Sequence, residues 1–559
     1  MGIFDVFKRT EQIKYPRGID DFAIGLVNGN GNDLIGMKDG NVAKSSDDVS
    51  TFDYWLECKY DRSGKWYYPC QKYSLDSIKK VVIDIDFFKL EEPKEFHDFK
   101  ITHEACLSLI TVLTEDNELK LISLVPGSGE SVVEVPLFAE LGGYGPFKGR
   151  RNIGVRDDLY CRVLTVNDGV RRNVVIVTDT ICMDQKLCRM LRMELAEDFV
   201  LFPDSIMFIA THTHSGACLS SCDVGYGEPS EEFRQNWRIA VRKALAAALA
   251  SEEPVKALAG TAPIRKEIGQ RRTTDEDKHT DPAIRFIKFV RADGSIKLLL
   301  HNYAMHGVTF GPAQKKASAD WMGDANIKIR KRGLAEMPMF LYGTAGDINV
   351  IWTHPNPAER HLNLDWIGTS YVDDLEAGLD NCHEITLGPC KAALEAVEFP
   401  TEPVDAKEYR ETAAKLMEAG NPDNRLLVYT CDRLEEMATL ADKGFDFRVI
   451  RDLQVLTMGD LQIYALPGEA FLAFGEELRA KSDAAFPIAV SVANGDAGYL
   501  PTRKMFEQYP TIFSNQNFGA FGFYEVWFGQ GKLRPKFKPE IEELIINKLL
   551  ELGKKTALR

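Results

Sequence analysis

The sequence predicts an α/β fold from about residue 130 to the C-terminus, and two observations carry this. Short apolar strands alternate there with amphipathic helices, the pattern of sheets covered by helices. Polar motifs containing His, Gly and Asp follow directly on several of the apolar runs, which is where α/β proteins place their sites.

Residues 1–125 read differently, as a small β-rich accessory module. Gly/Asn-rich turns at 28–32 precede an aromatic stretch at 55–73, and strand-like runs follow at 81–85 and 119–124. The turn-forming Pro126-Gly127-Ser128-Gly129 marks a boundary, so a second domain is expected over 126–559. In that domain 174–177 and 205–210 read as strands. Phe233, Trp237, Ala240, Val241 and Leu245 recur at helical spacing within 230–251, and Glu231 and Glu232 suit the positive end of that helix's dipole. Further strands are expected at 284–290, 296–300 and 339–342. The runs 453–456 and 461–465 flank Met458-Gly459-Asp460 as a hairpin, and a helix at about 539–553 closes the chain. The region 352–450 reads as helices and loops.

Composition excludes several classes. The 559 residues are 45% apolar and 27% charged, a globular balance. With 83 acidic against 68 basic residues the net charge is −15, which argues against general affinity for nucleic acid or an anionic membrane surface. No apolar run approaches the roughly 20 residues of an integral membrane segment. The start, MGIFDVFKRTEQIKYPRG, lacks the apolar core of a secretion signal. Eleven cysteines at irregular spacings read as reduced thiols, so a cytoplasmic location is expected.

The ten histidines are few, and their placement concentrates the chemistry. The run at 205–210 leads into Thr211-His212-Thr213-His214-Ser215-Gly216. Residues two apart on a strand face one side, so His212 and His214 are expected to converge, as metal ligands or as a hydrogen-bonded pair at a strand end. A second strand ends at Met305-His306-Gly307. His306 is the ligand candidate there, and His301, five residues earlier, faces the other way as a core or supporting histidine. Ser318-Ala319-Asp320-Trp321 reads first as helix capping, and its nearness to His306 allows Trp321 a place in a site wall. Gly343-Thr-Ala-Gly-Asp347-Ile-Asn349 is a glycine-bearing loop after a strand, or a plain turn. Glu469, in Leu466-Pro-Gly-Glu469, is expected to open a helix, where it serves as an N-terminal charge or an oxygen ligand. Tyr499 sits in a loop after a further strand. Gln270-Arg271-Arg272 places two guanidinium groups in a loop, as solvated surface charge or as anion binders in a cleft.

In this order the motifs resemble the neutral/alkaline non-lysosomal ceramidase family over roughly residues 130–530. The markers are Gly143-Tyr144-Gly145, Gly154-Val155-Arg156-Asp157-Asp158-Leu159-Tyr160, Asp179, T-H-T-H-S-G at 211–216 and M-H-G at 305–307. S-A-D-W at 318–321, G-T-A-G-D-I-N at 343–349, L-P-G-E at 466–469 and Tyr499-Leu-Pro-Thr complete them. The resemblance implies a mixed-sheet, multilayer α/β catalytic domain with one zinc ion, Zn2+, bound by His212, His306, Glu469 and Tyr499. It implies catalytic hydrogen-bonding roles for His214 and for an arginine of the 270–272 loop. Arg271 is the first choice and Arg272 the near alternative. Tyr524, in Gly522-Phe-Tyr-Glu525, matches a further family tyrosine near the site.

The implied chemistry is hydrolysis of an amide by zinc-activated water. The surroundings depart from the family pattern. Trp321-Met322 replaces Tyr-Pro, Asn349 takes a serine position, and no immunoglobulin-like domain follows the catalytic region. The expected substrate is therefore a small soluble N-acyl compound, with Trp321 and Asn349 as substrate-binding candidates. A true ceramidase releasing sphingosine and fatty acid is the runner-up, and a non-catalytic zinc-binding module on the same fold is the third reading.

Overall fold

The computed structural model describes residues 125–557 except 145–148, 220–226, 273–276, 352–359, 515–523 and 528–533. Before residue 125 it describes only the backbone of short strands. The chain falls into two compact units, one formed by 1–125 with 166–172 and 195–202, the other by the remainder. In the first, Asp33–Lys38, Tyr54–Tyr60 and Trp66–Tyr73 form an antiparallel sheet, and Val81–Asp84 pairs with Ile110–Leu113 in another.

The second unit is mixed α/β, as expected, and is built on three larger sheets among the described residues. One runs Val125–Val132, Tyr160–Asn167, Arg172–Thr178, Ile206–Ala210. Another runs Met337–Tyr342, Ile296–Tyr303, Ala283–Val290, Lys256–Pro263, Cys382–Ile385. The third runs Cys390–Phe399, Val449–Met458, Leu461–Ala465, Phe486–Val490. Each sheet contains a parallel pair: Arg172–Thr178 with Ile206–Ala210, Ile296–Tyr303 with Met337–Tyr342, and Leu461–Ala465 with Phe486–Val490. The strands of these pairs are almost wholly buried, which is why they read as continuous apolar runs.

The carboxyl ends of these strands are stitched together. Ile209 bridges Ala493, Thr213 bridges Gly307, and Ser491 N–H donates to Tyr342 O at 3.0 Å. The segments carrying His212, His306, Glu469 and Tyr499 emerge at these ends or on the short Glu469–Ala470/Tyr499–Leu500 ladder. The fold thus brings together segments hundreds of residues apart.

Helices seal the sheets. Glu231–Ala250 starts on Ser230, whose hydroxyl accepts from Phe233 N–H, and buries Phe233, Trp237, Val241 and Leu245. Ile541–Thr556 packs Ile545, Leu549 and Leu552 into a core with Phe399, Leu453, Val455 and Phe474. Burial is worth roughly 1.5–3 kcal/mol for each such side chain. The hairpin 453–465 is present, its turn made at Gly459 with φ 58°. The expectation of helices and loops over 352–450 is only half right. Helices Arg360–Gly378, Ala406–Ala419 and Arg425–Asp442 are joined by strands Cys382–Ile385 and Cys390–Phe399. Much of Cys390–Phe399 is only half-buried, so it lacks the apolar alternation that announces a strand. Among the described residues no helix is long and apolar enough to cross a membrane, and the described cysteines are free thiols.

Candidate metal centre

The strand Ile206–Ala210 stops two residues before His212, which takes a left-handed backbone with φ 61°. His212 and His214 therefore do not share a strand face, as the spacing suggested. The turn brings them together instead, with Nε2 atoms 3.3 Å apart. Hydrogen bonds hold this backbone: His212 N–H donates to Thr180 O, and His214 N–H to Gly307 O, each at 3.0 Å. Behind His214 the chain passes so closely that a Cβ on Gly143 would lie 2.6 Å from its Nδ1. The φ of Gly143 is 110°, so the position requires glycine on both grounds. Arg150 donates to the His214 carbonyl at 2.9 Å and stacks over Tyr144, whose ring meets His214 edge-on.

His306 arrives from the end of Ile296–Tyr303, and its ring lies 5.0 Å from that of His212. Trp321 supports it from behind. The indole donates to His306 O at 2.9 Å, and the ring is wholly buried against Tyr303, Phe340 and Tyr371. The expected substrate-binding role for Trp321 thus gives way to positioning, because the start of helix Asp320–Lys331 aims the ring inward. That start carries no side-chain cap of its own. Asp157 takes the task, accepting from Ala319 N–H and from the Ser318 hydroxyl, each at 2.6 Å.

Glu469 does not open a helix. It lies on the two-residue strand Glu469–Ala470, paired in parallel register with Tyr499–Leu500, so Glu469 and Tyr499 stand opposite each other; the helix begins later, at Leu472. A Cβ on Gly346 would lie 2.4 Å from Glu469 O, and Gly346 N–H donates to Ala470 O, which locks the 343–349 loop under this strand.

The Glu469 Oε2 lies 3.3 Å from His212 Nε2 and 3.2 Å from His306 Nε2, all three groups being buried. The Nδ1 of His212 faces Ile181 O at 2.8 Å, and that of His306 faces Ala345 O at 2.6 Å. A carbonyl only accepts, so both Nδ1 atoms carry the proton and both neutral rings present a lone pair at Nε2. Three acceptors then face one another with no proton between them. Either the rings take up protons or a cation belongs there. Tetrahedral zinc bonds of ~2.0–2.1 Å place neighbouring ligand atoms about 3.3 Å apart, the spacing of Glu469 Oε2 from each imidazole Nε2. The donor set fits a metal. His214 completes a cluster with His212 and His306 in which the ligand atoms lie within 4.8 Å of one another.

The charges are strongly coupled. Burial works against charge on His212, but Glu469 outweighs it and lifts the pKa above its ordinary value. Burial lowers His306, and burial with two neighbouring imidazoles holds His214 well below its usual range, so His214 is neutral. Burial would raise Glu469, yet His212 and His306 keep it well below the usual carboxylate range. His214 Nδ1 has no hydrogen-bond partner among the described residues.

The arginine loop resolves into two roles. Gly269–Arg271 pairs with Ile348–Val350 and sets Arg271 against Ile348. Arg271 turns to Asp347 at 3.0 Å and Asp277 at 3.1 Å. Arg272 is the one that reaches the centre, donating to the Tyr499 hydroxyl oxygen at 2.9 Å and forming an ion pair with buried Glu525. Of the two, the alternative Arg272 and not the first choice Arg271 touches Tyr499. Glu525, which the sequence reading passed over as a functional residue, sits beside Tyr524 in the short helix Tyr524–Trp527; the side chain of Tyr524 lies outside the described residues. Asn349 is half-buried opposite Gln270. His301 is a core histidine, its Nε2 donating to Asn326 at 2.8 Å and its Nδ1 accepting from Tyr371 at 3.0 Å.

No family model matches the chain, and no curated protein matches it in sequence. Solved structures do match. A neutral ceramidase from Pseudomonas aeruginosa aligns with a TM-score of 0.59 at 17% identity, over 79% of this chain and 76% of the ceramidase. A ceramidase described as complexed with C2 aligns with a TM-score of 0.57 at 16% identity, over the same shares. The chain has the fold of these ceramidases.

Proposed function

We propose that the chain is a zinc-dependent hydrolase that cleaves the amide bond of a small soluble N-acyl compound. One observation carries the reading: His212 Nε2 and His306 Nε2 each lie within 3.3 Å of the buried Glu469 Oε2, with both Nδ1 protons already committed to carbonyls. Tyr499 stands in register with Glu469 and completes the proposed ligand set. When bound, zinc supplies a Lewis acid that lowers the pKa of water from 15.7 towards ~7.

The chain's own residues supply the rest. Ile181 and Ala345 fix the imidazole tautomers, and Trp321 fixes the backbone of His306. His214, neutral and beside His212, exchanges a proton or a hydrogen bond with the reacting group through Nε2. Arg272, oriented by Glu525, offers a fixed positive charge beside Tyr499 to the oxygen on which negative charge develops. The fold likeness to ceramidases supports amide hydrolysis. The half-buried Asn349, in a position where the family carries serine, supports a substrate other than ceramide, and the free thiols suit a cytoplasmic setting.

Ceramide itself is the second reading. The fold likeness favours it, and so do the exposed side chains of Leu137, Phe138, Ile153 and Val155, which flank the segment that carries Gly143 to His214. The test is turnover by zinc-loaded protein on ceramide in detergent micelles beside a panel of soluble N-acyl compounds. Cleavage within the soluble panel supports the first reading; cleavage of ceramide alone replaces it with the second.

A further inference from the structure

Tyr342 ends the strand Met337–Tyr342 directly beneath the histidines. Its ring lies 5.2 Å from that of His212 at a shallow 35° and 6.3 Å from that of His306 at 90°. The residue is wholly buried. Its hydroxyl has no hydrogen-bond partner among the described residues. A phenol is neutral at ordinary pH, so this side chain is a donor packed against two of the groups that form the centre. A buried hydroxyl without a partner is costly and rare, and in native proteins it calls for an explanation. Packing alone is a poor one, because phenylalanine would fill the same space without the penalty.

We infer that Tyr342 is a hydrogen-bond donor reserved for an oxygen atom that enters the centre with its ligand, and that it holds that oxygen in place. This rests on the proposed zinc site. The class of ligand is one with a carbonyl or hydroxamate oxygen, which supplies the acceptor that the described residues do not.

The test compares wild type with Tyr342→Phe. In chelator-stripped protein the variant is expected to melt at the same temperature as wild type or higher, since it loses an unpaired hydroxyl. In zinc-loaded protein it is expected to retain the metal but to bind acetohydroxamate about tenfold more weakly, the loss of one hydrogen bond. A stripped variant that melts several degrees lower would mean that the hydroxyl already has a protein partner, and would overturn the inference. So would equal acetohydroxamate affinity in the two loaded proteins. If neither protein takes up zinc, the zinc reading fails, and with it the role assigned to the phenol, while the stripped comparison still decides whether the hydroxyl is unpaired.

Discussion

The Nε2 of His306 lies 3.2 Å from the Oε2 of Glu469, and neither atom has a proton to offer the other once Nδ1 of His306 is bound to Ala345 O. The contact is repulsive unless a cation sits beside it or an imidazole takes up a second proton, which Glu469 favours at His212. Glu469→Gln puts an amide N–H where the carboxylate was, so the substituted side chain can satisfy an imidazole lone pair without metal. At alkaline pH, where the rings are neutral, stripped Glu469→Gln is therefore expected to melt no lower than stripped wild type. Its zinc affinity should fall by more than about 100-fold, beyond the cost of losing an outer-sphere partner. Chelator-competition titration with zinc and thermal melts check both halves.

Arg271 and Arg272 should separate cleanly. Arg271 neutralises the fully buried Asp347, and Arg271→Ala leaves that carboxylate unpaired, at a cost of about 3–5 kcal/mol seen in denaturant unfolding. Arg272→Lys keeps a charge against Glu525 but loses the fork that spans Glu525 and Tyr499. It should retain zinc and lose about 10²–10³ in kcat, as for removal of one oxyanion donor. Turnover lost in Arg271→Ala and unchanged in Arg272→Lys would reverse the assignment.

His212 and His214 should also differ. His212→Ala is expected to lose zinc, and His214→Ala to keep zinc and lose turnover. The 3.3 Å between their Nε2 atoms makes this a demanding test, since His214 stands within ligating distance. Equal loss of zinc in both variants would make His214 a ligand.

Acid should act through His301. Burial lowers its pKa from 6.5 to about 4, so the unfolded chain takes the proton first as pH falls. The stability held by the neutral ring is complete above pH 6.5 and is lost as pH falls from there towards 4. Over that window the loss amounts to roughly 3 kcal/mol. His301→Gln lacks the term, so the stability gap between wild type and variant should shrink by that amount between pH 7 and pH 4. A gap constant with pH would contradict it.

Much of the centre was legible because apolar strands running into His-, Gly- and Glu-bearing segments survive as sequence patterns. His212, His306, Glu469 and Tyr499 meet, or stand in register, for that reason. The local reasons were less legible. His212 converges with His214 through a left-handed turn rather than a shared strand face, and Glu469 is placed by parallel pairing with Tyr499 rather than by a helix start. The choice between Arg271 and Arg272 depends on the register of Gly269–Arg271 against Ile348–Val350. A one-residue shift there exchanges the faces, and nothing local fixes it. Trp321 looked like a site wall because it follows a motif, but the helix that it begins turns it into the core. Glu525 acts through an ion pair with a residue 253 positions away, so a lone glutamate gave no signal.

The most direct test is elemental analysis of the purified wild-type protein beside His212→Ala, after dialysis against trace zinc. The account predicts one zinc per wild-type chain and close to none in the variant. A full zinc equivalent in His212→Ala, or none in folded wild type, would contradict it.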